Sequence, residues 1–121
     1  MRFAPSHEWI LVQGNTGTVG ISHHAQQELG EIVYIQMPQI GQYIEAGQEA
    51  CVLESTKAAA DIYSPVSGTV TEVNLAVSTD PSLINRTPQS TGWLYKIQLT
   101  FPEELDTLLS LEQYAGSNLA N

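Results

Sequence analysis

Positions 54–61 hold the sequence Glu54-Ser55-Thr56-Lys57-Ala58-Ala59-Ala60-Asp61, a stretch of small and polar residues with one lysine near its middle. Residues 50–53 precede it and residues 62–63 follow it, and both flanks are rich in residues that favour β-strands. The pattern predicts a β-hairpin near residues 50–64, with Lys57 at the reversal. Small neighbours leave the ammonium group uncrowded, so that an enzyme could reach and modify it.

Lys57 is one of two lysines in the chain. A lysine in a polar connection is ordinarily a solvated surface charge. The other lysine, Lys96, fits an ordinary structural explanation, because it takes a polar position in the strand pattern of residues 93–99. Lys57 has no such explanation, and its surroundings favour a lysine presented for covalent modification.

The charge balance limits the classes of partner. The 121 residues include 4 basic and 13 acidic side chains, a net charge of -9, and 42% of them are hydrophobic. Length and composition indicate one globular domain over residues 1–121. The negative charge disfavours nucleic acid and anionic membrane surfaces as partners, and it attracts positively charged protein surfaces.

The single cysteine and the chain start bear on the compartment. Cys51 lies in an apolar strand pattern, which predicts a buried structural thiol in a reducing compartment. No run approaches the roughly 18 apolar residues of a membrane-spanning helix, and residues 1–6 show neither a signal-peptide core nor a transit-peptide pattern. We expect a protein of the bacterial cytoplasm; the mitochondrial matrix is the alternative for a processed organellar chain.

Short strands separated by turn residues predict a mainly β fold. Besides the two hairpin arms, strands are predicted at residues 8–12, 18–21, 31–37, 42–44, 69–73 and 93–100. Ser22 is predicted to cap a short helix over residues 23–29 that ends at Gly30. Pro81 is predicted at the first position of another helix, and residues 102–115 as a C-terminal helical segment packed on the sheet.

The histidines form no recognisable catalytic arrangement. Imidazoles occur in His7-Glu8 and in His23-His24, and neither pair has the spacing of a zinc site or a nucleophile close by in sequence. Adjacent histidines in a helix point in different directions. The sequence therefore predicts no catalytic residue, no metal site and a non-catalytic protein.

Eight short motifs occur in a specific order along almost the whole chain. They are Ser6-His7-Glu8-Trp9, Thr18-Val19-Gly20-Ile21, Ala25-Gln26, Leu29-Gly30-Glu31-Ile32-Val33, Glu54-Ser55-Thr56-Lys57-Ala58, Tyr63-Ser64-Pro65-Val66-Ser67-Gly68, Leu83-Ile84-Asn85 and Gly92-Trp93-Leu94. Each motif is weak alone, but their order and spacing together are highly specific. On these motifs the chain resembles the H proteins of the glycine cleavage system.

The resemblance implies a fold, a cofactor and a set of partners. The fold would be a lipoyl-type β-sandwich (barrel-sandwich hybrid) of two small antiparallel sheets, with a few short peripheral helices including the C-terminal one. (R)-lipoate would be bound covalently to Lys57. The monomeric carrier would take an aminomethyl group from a pyridoxal-phosphate glycine decarboxylase to an aminomethyltransferase. Dihydrolipoyl dehydrogenase would reoxidise it, and a lipoylating enzyme would first attach the arm.

The resemblance also assigns site residues by position. Ser6, Glu8 and Asp61 match a cleft that shelters the loaded arm, while Glu54 and Gly41 match positions tied to recognition by the lipoylating enzyme. The chain departs from the family pattern in several places. Thr56 stands where Val is common, Ala60 replaces a frequent Ser, and the connection at residues 77–91 is more polar.

The sequence alone leaves three alternative functions open. A biotinyl or lipoyl domain of another complex fits less well, because Thr56 and Ala58 stand where biotin domains carry methionines and because no Asp precedes Lys57. A Schiff-base enzyme needs a desolvated lysine with a lowered pKa, which a hairpin tip does not provide. The third is a lipoyl carrier or relay protein that acts outside glycine cleavage.

Overall fold

The computed structural model describes residues 1–119 as two antiparallel β-sheets with a shared core. In chain order the strands are β1 (Arg2–Phe3), β2 (Glu8–Gln13), β3 (Thr16–Ile21), β4 (Ile32–Gln36), β5 (Tyr43–Ile44), β6 (Glu49–Ser55), β7 (Ala59–Tyr63), β8 (Gly68–Val73), β9 (Tyr95–Leu99) and β10 (Leu109–Ser110). The larger sheet has the order β10-β1-β2-β3-β9-β8-β5, and the smaller one β4-β6-β7. The predicted two-sheet β-sandwich is confirmed.

Short helices lie around the sheets. They are α1 (His23–Leu29), α2 (Leu75–Thr79), α3 (Leu83–Arg86), α4 (Leu111–Leu119) and a 3₁₀ helix at Pro102–Thr107. The predicted first helix is confirmed with its cap, because the Ser22 hydroxyl accepts the Ala25 N–H at 3.1 Å. Among residues 1–119 no helix combines the length and apolar character needed to cross a membrane.

The core lies between the sheets and follows the two-residue period of the strands. In β9, Tyr95, Ile97 and Leu99 all point inward and are buried. In β6, Cys51 is only 1% exposed, and burial, followed by the nearby Glu49 carboxylate, raises the pKa of its thiol to about 12. The prediction that the Cys51 thiol is buried is confirmed.

Two regions differ from the sequence prediction. Pro81 does not begin a helix: α2 ends at Thr79, α3 begins at Leu83, and Pro81 lies in the turn between them. The predicted segment 102–115 is divided into the 3₁₀ helix, the strand β10 and α4. A long-range contact causes this division, because β10 pairs with β1 at the opposite end of the chain.

A second, smaller core explains why the C-terminus returns to the N-terminus. Phe3, Trp9 and Tyr114 are buried together, with Trp93 and Leu109 packed against them. The Phe3 and Tyr114 rings stack with centroids 4.3 Å apart. The N-terminal strand, the first hairpin and α4 therefore form one packed unit beside the main core.

Candidate functional site

Lys57 lies at the tip of the β6–β7 hairpin, in the turn that follows the Glu54–Ala59 pair. Ser55 closes the turn by donating its backbone N–H to the Ala58 carbonyl at 2.9 Å. Its hydroxyl accepts the N–H groups of Lys57 and Ala58 at 3.1 and 3.2 Å. The Ser55 side chain thus holds the backbone of the tip, and the Lys57 side chain is exposed.

The two lysines have different surroundings. Lys96 lies 3.5 Å from the Glu72 carboxylate, and its ammonium group lies 5.2 Å from the centroid of the Trp93 ring. Within residues 1–119, Lys57 forms no ion pair. Among the described residues Lys96 therefore has partners that explain its position, whereas Lys57 is exposed and has no such ion pair.

The hairpin tip is fixed against the connection between α1 and β4. Thr56 donates its N–H to the Glu31 carbonyl at 3.0 Å. The stem of Lys57 lies over Gly30, where a Cβ would come within 3.2 Å of the lysine Cε. Gly30 also has a φ of +81° and a ψ of -158°, a backbone conformation that only glycine adopts readily. Glycine at this position both leaves space for the lysine stem and adopts the required backbone conformation.

Asn85 of α3 holds that connection in place. Its amide oxygen accepts the Ile32 N–H at 2.9 Å, and its amide nitrogen donates to the Gly30 carbonyl at 2.8 Å and to Gln26 Oε1 at 3.0 Å. The Leu83-Ile84-Asn85 motif thus supports the segment against which the lysine stem rests.

A cleft of about 440 Å³ opens between the turn at residues 6–8, helix α1 and strand β7. It is lined by Ser6, His7, Glu8, His24, Ala25, Glu28, Leu29, Ala60, Asp61, Ile62 and Tyr63. The structure therefore brings together the three residues that the resemblance assigned to one cleft, Ser6, Glu8 and Asp61. Leu29 precedes Gly30, so the lining continues to the residue over which the stem of Lys57 lies.

Glu8 is the buried acid of the cleft, with 2% of its surface exposed. The Ser6 hydroxyl donates to its carboxylate. Burial raises the pKa of Glu8, while hydrogen bonds from Ser6 and from the backbone of Tyr63 oppose the rise. A carboxylate short of solvent favours a cationic ligand. Asp61 adds a second, exposed carboxylate at the cleft.

His7 and His24 also line the cleft, and the sequence patterns did not predict either of them as a site residue. The His7 and His24 rings lie 4.5 Å apart, and His24 Nε2 lies 3.5 Å from Glu28 Oε1. Burial, followed by the nearby His24, lowers the pKa of His7, and Glu28 opposes the shift. The four-residue spacing of His24 and Glu28 could have placed both on one helix face. No sequence pattern predicts the position of His7, whose backbone is left-handed with a φ of 77°.

The two residues assigned to lipoylation lie elsewhere. Glu54 is exposed in β6, where it pairs with Tyr34 and Ala59 close to the hairpin tip. Gly41 belongs to the turn before β5 in the other sheet, with a φ of +90° and its N–H donated to Val70 O at 2.7 Å. Neither residue lines the cleft.

Comparison with known proteins identifies the family. The family model described as "Glycine cleavage H-protein" matches residues 1–119. The chain belongs to the glycine cleavage H-protein family. The "Glycine cleavage system H protein" of Alcanivorax borkumensis is 52% identical over 114 residues, which cover 94% of this chain and 89% of the relative.

More distant members of the glycine cleavage H-protein family agree. The "Glycine cleavage system H protein" of Thermotoga maritima is 41% identical over 113 residues, covering 93% of this chain and 91% of that protein. The crystal structure of a glycine cleavage system H protein from Mycobacterium marinum superposes with a TM-score of 0.88 at 36% identity, covering 97% of this chain and 94% of that one. Sequence and fold therefore indicate the same family.

The geometry is chemically suited to a tethered group. A primary amine is exposed on a fixed turn, and beside it lies a cleft that combines apolar side chains such as Ala25 and Leu29 with the Glu8 and Asp61 carboxylates. Among residues 1–119 no three His, Cys, Asp or Glu side chains are grouped so as to hold a metal ion. The cleft can accept an apolar arm that ends in a cation.

Proposed function

We propose that the protein is the lipoyl carrier of a glycine cleavage system, a non-catalytic subunit with (R)-lipoate joined to Lys57 by an amide bond. The observation that carries the proposal is the exposed Lys57 on a fixed hairpin tip, next to a cleft with a buried carboxylate. Family membership supports the same role.

The surroundings of Lys57 leave room for the arm and for the enzyme that attaches it. The small side chains of Ala58, Ala59 and Ala60 leave space around Lys57 for a modifying enzyme. When bound, the lipoyl group would supply a dithiolane whose S–S bond opens on loading, so that one sulfur carries the aminomethyl group and the other is a thiol. Tethering to Lys57 raises the local concentration of that group to roughly the millimolar range at each enzyme it visits.

Ser6, Glu8 and Asp61 have a protective role in this proposal. The two carboxylates and the hydroxyl bind the ammonium end of the arm by charge-assisted hydrogen bonds. Ala25 and Leu29 cover its apolar part and keep water away. Because Glu8 is buried, a bound cation also relieves the cost of keeping its carboxylate ionised.

The proposed partners follow from the role. They are glycine decarboxylase, aminomethyltransferase, dihydrolipoyl dehydrogenase and a lipoylating enzyme that recognises Glu54 and Gly41. We further propose that the chain acts as a monomer in the bacterial cytoplasm, as one domain over residues 1–121; residues 120 and 121 lie outside the described residues. The relatives named above are bacterial proteins.

Intact mass spectrometry tests the proposal directly. The purified chain is incubated with lipoate, ATP and a lipoylating enzyme, alongside the variants Lys57→Arg and Lys96→Arg. We expect one lipoyl group on the wild type and on Lys96→Arg, and none on Lys57→Arg, with all three folded by circular dichroism. An unmodified wild-type chain, or an adduct that persists in Lys57→Arg, would contradict the proposal.

A second step separates glycine cleavage from other lipoyl systems. The lipoylated chain, with its dithiolane ring oxidised, is mixed with glycine and the glycine decarboxylase of a glycine cleavage system; CO2 is lost, the aminomethyl carbon bonds to one sulfur, the S–S bond breaks and the other sulfur becomes a thiol. We expect the mass of one aminomethyl group to be added to the arm. A lipoylated chain that takes up no aminomethyl group would act as a carrier for a different reaction.

A further inference from the structure

We propose that Tyr114 of α4 is a positioning residue for the cleft, because its hydroxyl joins the His7 turn to the beginning of α1. The inference rests on the proposed carrier function and adds to it a role for the C-terminal helix. Tyr114 does not line the cleft, so it acts through His7 and Ser22.

The Tyr114 hydroxyl makes two short side-chain hydrogen bonds. It lies 2.5 Å from His7 Nδ1 and 2.6 Å from the Ser22 hydroxyl. The residue is 6% exposed, and its ring is stacked on Phe3 and lies edge-on to His7 at 5.5 Å. A ring packed on two sides gives the hydroxyl a fixed position.

His7 needs a fixed partner because its backbone is in the left-handed region, with a φ of 77°. Residues with a Cβ adopt this conformation rarely and only where the surroundings enforce it. The turn is closed on the backbone side by His7 N–H to Ala4 O at 2.9 Å and by Ser22 N–H to His7 O at 2.9 Å. The Tyr114 hydroxyl fixes the side chain, and Ser6 and Glu8 lie directly on either side of this turn.

The second bond of Tyr114 reaches the other wall of the cleft. Ser22 caps α1 by accepting the Ala25 N–H at 3.1 Å, and α1 supplies Ala25, Leu29 and other lining residues. The Tyr114 hydroxyl therefore connects the turn at residues 6–8 with α1, the two walls between which the arm would lie. Removing it should loosen both walls without emptying the aromatic core.

Tyr114→Phe tests the role, since it keeps the ring on Phe3 and removes only the hydroxyl. The matched control is Tyr43→Phe, on β5 and half exposed. Each variant is lipoylated and loaded with aminomethyl, and the release of formaldehyde is followed in buffer. In that reaction water attacks the methylene carbon, and the C–S bond breaks to give the free thiol and aminomethanol. The C–N bond of aminomethanol then breaks, which gives formaldehyde and ammonium.

We expect Tyr114→Phe to release formaldehyde about three- to tenfold faster than the wild type, as loss of one or two hydrogen bonds predicts. The rate of lipoylation at Lys57 should be unchanged, and Tyr43→Phe should match the wild type in both measurements. An unchanged release rate in Tyr114→Phe would overturn the inference. A wild-type chain that is never loaded would instead contradict the proposed function.

Two further measurements separate positioning from general stability. In the unmodified chain, the ¹⁵N NMR signal of His7 Nδ1 should shift in Tyr114→Phe and stay constant in Tyr43→Phe. His7→Asn keeps a residue that tolerates the left-handed turn but lacks the ring. Adding Tyr114→Phe to His7→Asn should then accelerate release less than it does in the wild type, because only the bond to Ser22 is left to lose. Fully additive effects, or an unshifted His7 signal, would overturn the inference.

Discussion

Glu8 links the stability of the fold to the chemistry of the cleft. Burial raises the pKa of its carboxyl group above the ordinary glutamate value. Between the ordinary value and the raised one, the folded chain binds more protons than the unfolded chain, so the free energy of unfolding decreases as pH rises through this window. Above the window the ionised carboxylate lowers stability, and this is the form that the proposed binding of the ammonium end of the arm requires.

Glu8→Gln should therefore stabilise the empty protein and impair the loaded one. At neutral pH we expect the free energy of unfolding to rise by roughly 1 kcal/mol, which raises Tm by about 3 °C. The difference should shrink as the pH falls below the ordinary glutamate range, where the wild-type carboxyl group is protonated in both states. Thermal unfolding from acid to neutral pH measures this, with the exposed Glu45→Gln as control. A variant less stable than wild type at neutral pH would contradict the argument.

The same substitution should weaken the protection of the arm. Charge-assisted hydrogen bonds are worth about twice as much as neutral ones, so aminomethyl loss should become about tenfold faster in Glu8→Gln. Protection in the wild type should decline as pH falls through the pKa of Glu8, because a neutral carboxyl group no longer attracts the ammonium. Release of formaldehyde, measured across the same pH range, checks both statements. A release rate in Glu8→Gln equal to that of the wild type would show that Glu8 does not protect the arm.

At the scale of the elements, the Asn85 side chain joins α3 to the connection between α1 and β4 near the hairpin. It takes part in three hydrogen bonds that hold Gly30, Ile32 and Gln26, and Glu31 in the same segment accepts the N–H of Thr56. Helix α3 is only four residues long, so its place depends on such contacts more than on its own propensity. The lysine-bearing tip is thus supported through two other elements, the α1–β4 connection and α3.

Asn85→Ala should lower the free energy of unfolding by about 2–3 kcal/mol, since it leaves partly buried N–H and C=O groups without partners. The matched control is Asn15→Ala, which loses a single side-chain bond to the Leu99 carbonyl at 3.1 Å and should cost about 1 kcal/mol. Urea unfolding gives both values, and hydrogen exchange at the Thr56 amide should accelerate in Asn85→Ala only. Equal destabilisation by the two variants would show that Asn85 does not support the hairpin.

How far the sequence predicts these elements depends on how local their causes are. Helix α1 was predictable because its cap, Ser22, and its terminating Gly30 are adjacent to it in sequence. The division of residues 102–115 was not, because β10 pairs with Phe3, more than a hundred positions away. Local patterns predicted that Lys57 is accessible. The grouping of Ser6, Glu8 and Asp61 in one cleft was predicted from the family resemblance. The role of His7 depends on Tyr114, 107 positions along the chain, and no local pattern contains that information.

At the scale of the whole molecule, the dominant property is the net charge of -9. Several exposed acids lie near the lysine-bearing tip, among them Glu31, Glu54 and Asp61. A carrier must meet several enzymes in succession and leave each one again. Long-range attraction accelerates encounters without adding short-range contacts that would slow dissociation. The acidic surface is therefore suited to frequent and brief complexes with basic surfaces.

Salt should weaken these encounters. The Debye length falls from about 30 Å at 0.01 M to about 3 Å at 1 M ionic strength, so the KM of aminomethyltransferase for the loaded chain should rise about tenfold over that range, with little change in kcat. Neutralising acids at the tip with Glu31→Gln and Glu54→Gln, in chains brought to full lipoylation before loading, should flatten the dependence of log KM on log salt. The pair Glu103→Gln and Asp106→Gln, on the 3₁₀ helix, removes the same charge elsewhere and should leave the slope closer to that of the wild type. A KM that is independent of salt, or equal slopes for the two double variants, would show that the tip charges do not guide association.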